Sequence, residues 1–111
     1  MQTCKPIRVI VSLLILISCV AKAADIKVSG GENHTLVLTA NKQTWACGFN
    51  WWRQLGTGDN YDRWTLVQVH GPDDVGYLED INNVSAGWTH SLALDVNDFV
   101  WAWGEILVKF V

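Results

Sequence analysis

The sequence predicts an all-β protein, a partial β-propeller of about one and a half four-stranded antiparallel blades behind an N-terminal signal peptide. Three observations point there: an internal repeat, leucines at alternate positions within each copy, and Gly- and Asn-rich punctuation where turns must fall. The 21 residues from Val28 to Gly48 align without a gap on those from Val84 to Gly104, an offset of 56, and ten of the positions are identical. A repeat of that length holding four short strands has the size of one propeller blade. Such a sheet cannot bury both of its apolar faces alone.

The first 23 residues stand outside the repeat. Lys5 and Arg8 precede an almost wholly apolar run from Val9 to Ile17, and Ala21-Lys22-Ala23 places small residues where a signal peptidase cuts. The apolar run is shorter than the roughly 20 residues that span a bilayer. A secreted or periplasmic product therefore follows. Leu16-Ile17-Ser18-Cys19 also resembles a lipobox; lipidation at Cys19 would instead anchor the chain to the cell envelope, the one route to a membrane. Cleavage after Ala23 removes Lys5, Arg8 and Lys22, which moves the formal charge from −3 to −6. It also leaves Cys47 as the lone cysteine of Cys4, Cys19 and Cys47, so no internal disulfide can form. Between apolar strand residues, Cys47 reads as buried filler.

The first repeat is assigned to residues 24–80 and a truncated second repeat to 81–111. Ile26 to Gly30 and Ile81 to Ala86 supply an opening strand in each. His34 to Thr39 and His90 to Asp95 carry leucine at alternate positions, the period at which strand side chains return to one face. Asn41-Lys42 and Asn97-Asp98 follow, and asparagine tolerates the left-handed backbone that tight hairpins require. The Trp-bearing runs that end at Gly48 and Gly104 complete the hairpins, and Leu66 to His70 is the fourth strand of the first copy. Residues 48–63, with Gly56, Gly58, Asp59 and Asn60, have the composition of a structured loop.

Composition excludes several functions. With 111 residues, 50% hydrophobic and 17% charged, the chain holds one ordinary domain at most and no large enzyme. Its acidic balance lacks the basic footprint of a nucleic-acid binder. His34 and His90 occupy the same repeat position and lack zinc-motif spacing, and His70 adds no pattern, so no metal is assigned. No Gly-x-Ser-x-Gly elbow or phosphate loop is present, and no cofactor or catalytic residue is assigned. What stands out among the seven tryptophans is an interleaved aromatic and basic stretch. Trp51, Trp52, Arg53, Tyr61, Arg63 and Trp64 lie where a propeller presents a rim loop, and Trp, Tyr and Arg are common interface anchors. Packing of some of these rings between blades is the competing expectation.

The residues then show a family resemblance. GENHTLVL with WACGFNWWRQLGTGD (Gly31 to Leu38, Trp45 to Asp59), and GWTHSLAL with VWAWG (Gly87 to Leu94, Val100 to Gly104), resemble regulator of chromosome condensation repeats. The matching motif positions are Gly31, His34, Trp45, Gly48, Gln54, Leu55, Gly56, Gly87, His90, Trp101 and Gly104, assigned a structural role. Three departures stand out: Cys47 where the family has Trp, Arg53 where it has Gly, and Glu105 to Val111 in place of the Asn and Gln-Leu-Gly loop. The resemblance implies blades that close a ring of seven, with rim loops contacting proteins. Ran nucleotide exchange, the family's best-known activity, is not carried over to an exported acidic chain.

The function expected is a non-enzymatic protein-interaction scaffold binding an unidentified protein through rim loops, with bare outer blade faces inviting self-association. Two alternatives stay open: a fragment of a larger propeller without independent activity, and a carbohydrate-binding module using the Trp-rich loop.

Overall fold

A computed structural model describes residues 25–105. The expected signal peptide, Cys4, Cys19 and the last residues assigned to the second repeat lie outside them. Two antiparallel sheets follow one another along the chain. The first contains β1 (Lys27–Gly30), β2 (His34–Leu38), β3 (Thr44–Gly48) and β4 (Arg63–Gln68), hydrogen-bonded in that order. The second contains β5 (Ile81–Ala86), β6 (His90–Asp95) and β7 (Val100–Gly104). The repeat extends to the register, since His34 pairs with Gly48 in one sheet and His90 with Gly104 in the other.

The hairpin turns are also duplicates, though their detail differs from expectation. The Lys42 N–H donates to the Thr39 carbonyl and the Asp98 N–H to the Asp95 carbonyl, each closing a four-residue turn. The left-handed residue is Lys42 or Asp98, each at φ 66°, and not the preceding asparagine. That is the arrangement in which a tight turn is followed by a left-handed bulge residue, which restores the strand register. In the second copy Asp95 holds the turn by accepting from the N–H groups of Asn97 and Phe99 and from Trp101 Nε1. The Trp101 bond leads in holding the Asp95 carboxyl below the usual carboxylate range.

The fourth strand is also displaced, running from Arg63 to Gln68 where Leu66 to His70 was expected. Pairing resumes at Gly48 with Arg63 after a register shift. β4 is the outer strand, so its first half is exposed and carries no alternating signal. Val69 and His70 continue as irregular backbone, with His70 bridging to Tyr77 across the turn at Pro72–Asp74.

The two sheets pack face to face, and each contributes a different face. Sheet one buries His34, Leu36 and Leu38, which alternate along β2; sheet two buries Ser91, Ala93 and Asp95, the opposite parity of β6. Ala46, Leu55, Val69, Leu78, Ile81 and Val84 complete the core, with Ala86 and Trp103 packed against it. Removing these side chains from water stabilises the pair at about 25 cal/mol per Å² of apolar surface.

One buried chain of hydrogen bonds crosses the junction. The Ser91 hydroxyl donates to the Gln54 carbonyl (2.8 Å), so at its 2.9 Å contact with His34 Nε2 it must accept. His34 is therefore the neutral tautomer with its proton on Nε2, and the buried Nδ1 has no partner. Adding a proton there would place a charge in the core. Burial lowers the His34 pKa, His90 nearby adds to this electrostatically, and together they outweigh a backbone contact with His90 that favours the cation. The ring also explains why the spacing of Gly and His recurs in both copies of the repeat. A Cβ on Gly31 would lie 2.5 Å from the His34 ring and 2.3 Å from the Gly87 carbonyl oxygen.

A lowered folded-state pKa means that the unfolded chain binds the proton more readily. Stability should therefore be full above the ordinary histidine value and fall as pH drops below about 6.5. Urea unfolding at pH 7.5 and 5.5 should show this loss. In His34→Gln the starting stability should be lower and the acid-induced loss smaller; an identical loss in the variant would assign the effect to other groups.

Candidate interaction surface

The rim loop between β3 and β4 is organised from inside by Asn50, a residue the sequence reading did not single out. Asn50 is fully buried. Its Oδ1 accepts from the Leu55 N–H, and its Nδ2 faces the Thr57 hydroxyl, both the carbonyl and the carboxylate of Asp59, and the Tyr61 carbonyl at 2.9–3.2 Å. Its own N–H donates to Asp62. One amide therefore fixes both ends and the middle of a fourteen-residue excursion whose backbone has no ladder partners. Asp59 supports it: burial acts to raise its pKa, but bonds from the Tyr61 N–H, Arg63 and the Thr57 hydroxyl prevail and hold the carboxyl below the usual range. The Arg63–Asp59 pair at 2.8 Å is partly exposed and adds little stability by itself.

The Gln54-Leu55-Gly56 motif serves the junction. The Gln54 side chain accepts from the Trp52 N–H, which turns its backbone carbonyl toward sheet two, where Ser91 Oγ and Trp103 Nε1 (2.9 Å) both donate to it. Trp103 stands at the repeat position held by Cys47 in the first copy. Cys47 is only half-buried, not the fully buried filler expected. Trp45 is half-buried, and Trp101 is largely outside the core, its ring nitrogen bonded to Asp95.

Trp51, Trp52, Tyr61 and Trp64 are all exposed, so none of them is packed between the two sheets. Nor do the six candidate residues make one patch. Trp52 lines a cleft of about 450 Å³ with Phe49, Trp88, Glu32 and Glu105. Arg53 lines another, about 350 Å³, with His70, Asp74, Trp101 and Trp103. Trp64 lies on β4, and Arg63 is turned back onto Asp59 and the Tyr61 carbonyl. Trp88 belongs to the first cleft yet lies 36 residues from Trp52. Periodicity gives no sign of it, although its place beside the repeated Gly-x-x-His motif marks it as a rim residue.

The first cleft straddles the two sheets at equivalent positions. The Phe49 N–H donates to the Asn33 carbonyl and the Glu105 N–H to the Thr89 carbonyl, which sets Phe49 and Glu105 at the same height on adjoining blades. A scan against family models matches residues 43–94 to the regulator of chromosome condensation (RCC1) repeat. The chain carries RCC1 repeat sequence. The matched span begins in the turn before β3 and ends in β6, so the RCC1 unit draws strands from both sheets.

Relatives extend the picture. The chain is 40% identical over 79 residues to the ultraviolet-B receptor UVR8 of Arabidopsis thaliana, covering 71% of this chain and 17% of the receptor. Its fold matches human WBSCR16 with a TM-score of 0.63 at 24% identity, over 71% of this chain and 19% of that one. Yeast RCC1 (Prp20), in a crystal structure with bound Kap60, matches with a TM-score of 0.58 at 20% identity, over 70% and 19%. The chain thus spans about a fifth of the length of these proteins.

Arg53 stands at φ 63°, a region in which an L side chain is strained and glycine is not. Two substitutions in one loop should then act in opposite directions. Arg53→Gly should stabilise by about 1 kcal/mol, and Asn50→Ala should destabilise by about 2–4 kcal/mol by orphaning the buried Leu55 N–H and Thr57 hydroxyl. Denaturant midpoints of both variants check this.

Proposed function

We propose that this RCC1-repeat chain is an exported, non-enzymatic interaction scaffold that binds a protein partner on the rim cleft between its two blades. The observation that carries this reading is the juxtaposition of Trp52, Trp88 and Phe49 with Glu32 and Glu105 in the lining of the cleft. Two exposed indoles provide contact area at low entropic cost, and a cation over an indole face gains about 0.5–2 kcal/mol. The two carboxylates in the lining add attraction for the same cation. The cleft therefore fits a basic segment with an apolar anchor. Yeast RCC1 (Prp20), which shares the fold, is found bound to the protein Kap60, and this supports a protein as the class of partner.

Export rests on the sequence of the leader. The mature product should begin at Ala24 when the cell envelope or culture medium is fractionated, and a lipid mass on Cys19 would replace secretion by anchoring. A second reading, service as part of a larger propeller, is favoured by the small share of each relative that the chain covers.

Tryptophan fluorescence tests the partner class. A peptide of alternating Arg and Leu should quench saturably, and its affinity should fall about tenfold in Trp52→Ala and in Trp88→Ala and weaken with salt. Equal binding of the Glu-Leu counterpart would overturn the proposal. Saturable quenching by a sugar, lost in Trp51→Ala or Trp52→Ala, would replace it with carbohydrate binding.

A further inference from the structure

The junction inside the chain joins two unlike faces, and the repeat supplies each of those faces twice. One face consists of Ser29, His34, Leu36 and Leu38 on sheet one. Its counterpart on sheet two consists of Ser85, His90, Leu92 and Leu94. The opposing face consists of Val84, Ser91 and Ala93 on sheet two, with Val28, Thr35 and Val37 as the counterpart on sheet one. In the junction Leu36 is 0% and Val84 8% exposed. Outside it, Val28 is 66% exposed, and Leu92 and Leu94 are only partly buried along an apolar groove of about 220 Å³.

We infer that copies of this chain associate head to tail, the Leu92 face of one receiving the Val28 face of the next. The internal junction is the established interface, and the outer faces continue it in both directions. The groups that direct it are in place. Ser29 Oγ accepts from the Ala86 N–H across the internal junction, and Ser85 Oγ can accept from the Gly30 N–H of another copy. His34 meets the Ser91 hydroxyl, and His90 can meet the Thr35 hydroxyl. Val37 takes the place of Ala93 over the leucine pair. Such a contact is heterologous: it pairs different surfaces and so can propagate beyond two chains.

The external contact is weaker than the internal one. Lys27 and Lys42 both donate to Asn82 across the internal junction, whereas the corresponding positions outside are Asn83, Asp98 and Ile26. Cys47 also replaces the Trp103 ring that reaches Gln54. Association should be reversible and concentration-dependent.

Sedimentation velocity of the purified full chain, with Leu92→Asp and Val28→Asp variants, tests this, because each variant spoils one face and leaves the other. The wild type should form species larger than a dimer as its concentration rises to about 100 µM, and each variant alone should remain monomeric. An equimolar mixture of the two variants should recover a dimer and nothing larger, since one intact face of each kind remains. Near-ultraviolet circular dichroism confirms that both variants keep the wild-type fold. Dimerisation of either variant alone would show like faces pairing and overturn the inference. So would a wild type that stays monomeric, or assembly indifferent to both substitutions.

Discussion

The buried chain from His34 through the Ser91 hydroxyl to the Gln54 carbonyl is the constraint on which the rest of the structure depends. It joins a strand of the first blade, a strand of the second and the rim loop of the first with two short bonds. It also fixes a tautomer, because a serine that donates to a carbonyl must accept from the imidazole. Gly31 is required by the same ring, which occupies the space a side chain would need. Blade order, loop position and the direction of stacking all follow from a histidine that faces one way.

That directionality makes the two faces of each sheet chemically different. Histidine and leucines line one, small residues and a hydroxyl the other, and only unlike faces are complementary. The loop between β3 and β4 is drawn into the junction by Gln54 and held in shape by Asn50, so its aromatic residues are left outside. Trp52 faces the neighbouring blade's Trp88 across the rim, while Arg53 is turned toward a second cleft by its left-handed backbone. Packing thus decides which side chains remain available for a partner.

Much of the fold was legible in the sequence, for identifiable reasons. β2 and β6 could be read because repetition doubled the leucine alternation, β3 and β7 because a Trp-bearing run ends in glycine in both copies, and both hairpins fall where expected. The turn detail could not: the bulge geometry assigns the left-handed backbone to Lys42 and Asp98, one residue past the asparagine of each turn. β4 was misplaced because an outer strand buries little and so carries no hydrophobic period. At the candidate site, strain at Arg53 was readable from its departure from the family glycine. The scatter of Trp51, Trp52, Tyr61 and Trp64 was not, because it depends on the fold of a loop governed by Asn50, whose bonds are invisible to periodicity.

A double-mutant cycle between His34 and Ser91 tests the central claim most directly. Unfolding free energies of the wild type, His34→Ala, Ser91→Ala and the double variant isolate the coupling between the two groups. The account predicts that the two single losses overlap, with a coupling of about 1–2 kcal/mol. Losses that simply add, within about 0.3 kcal/mol, would contradict it; the two sheets would then not be joined through this bond.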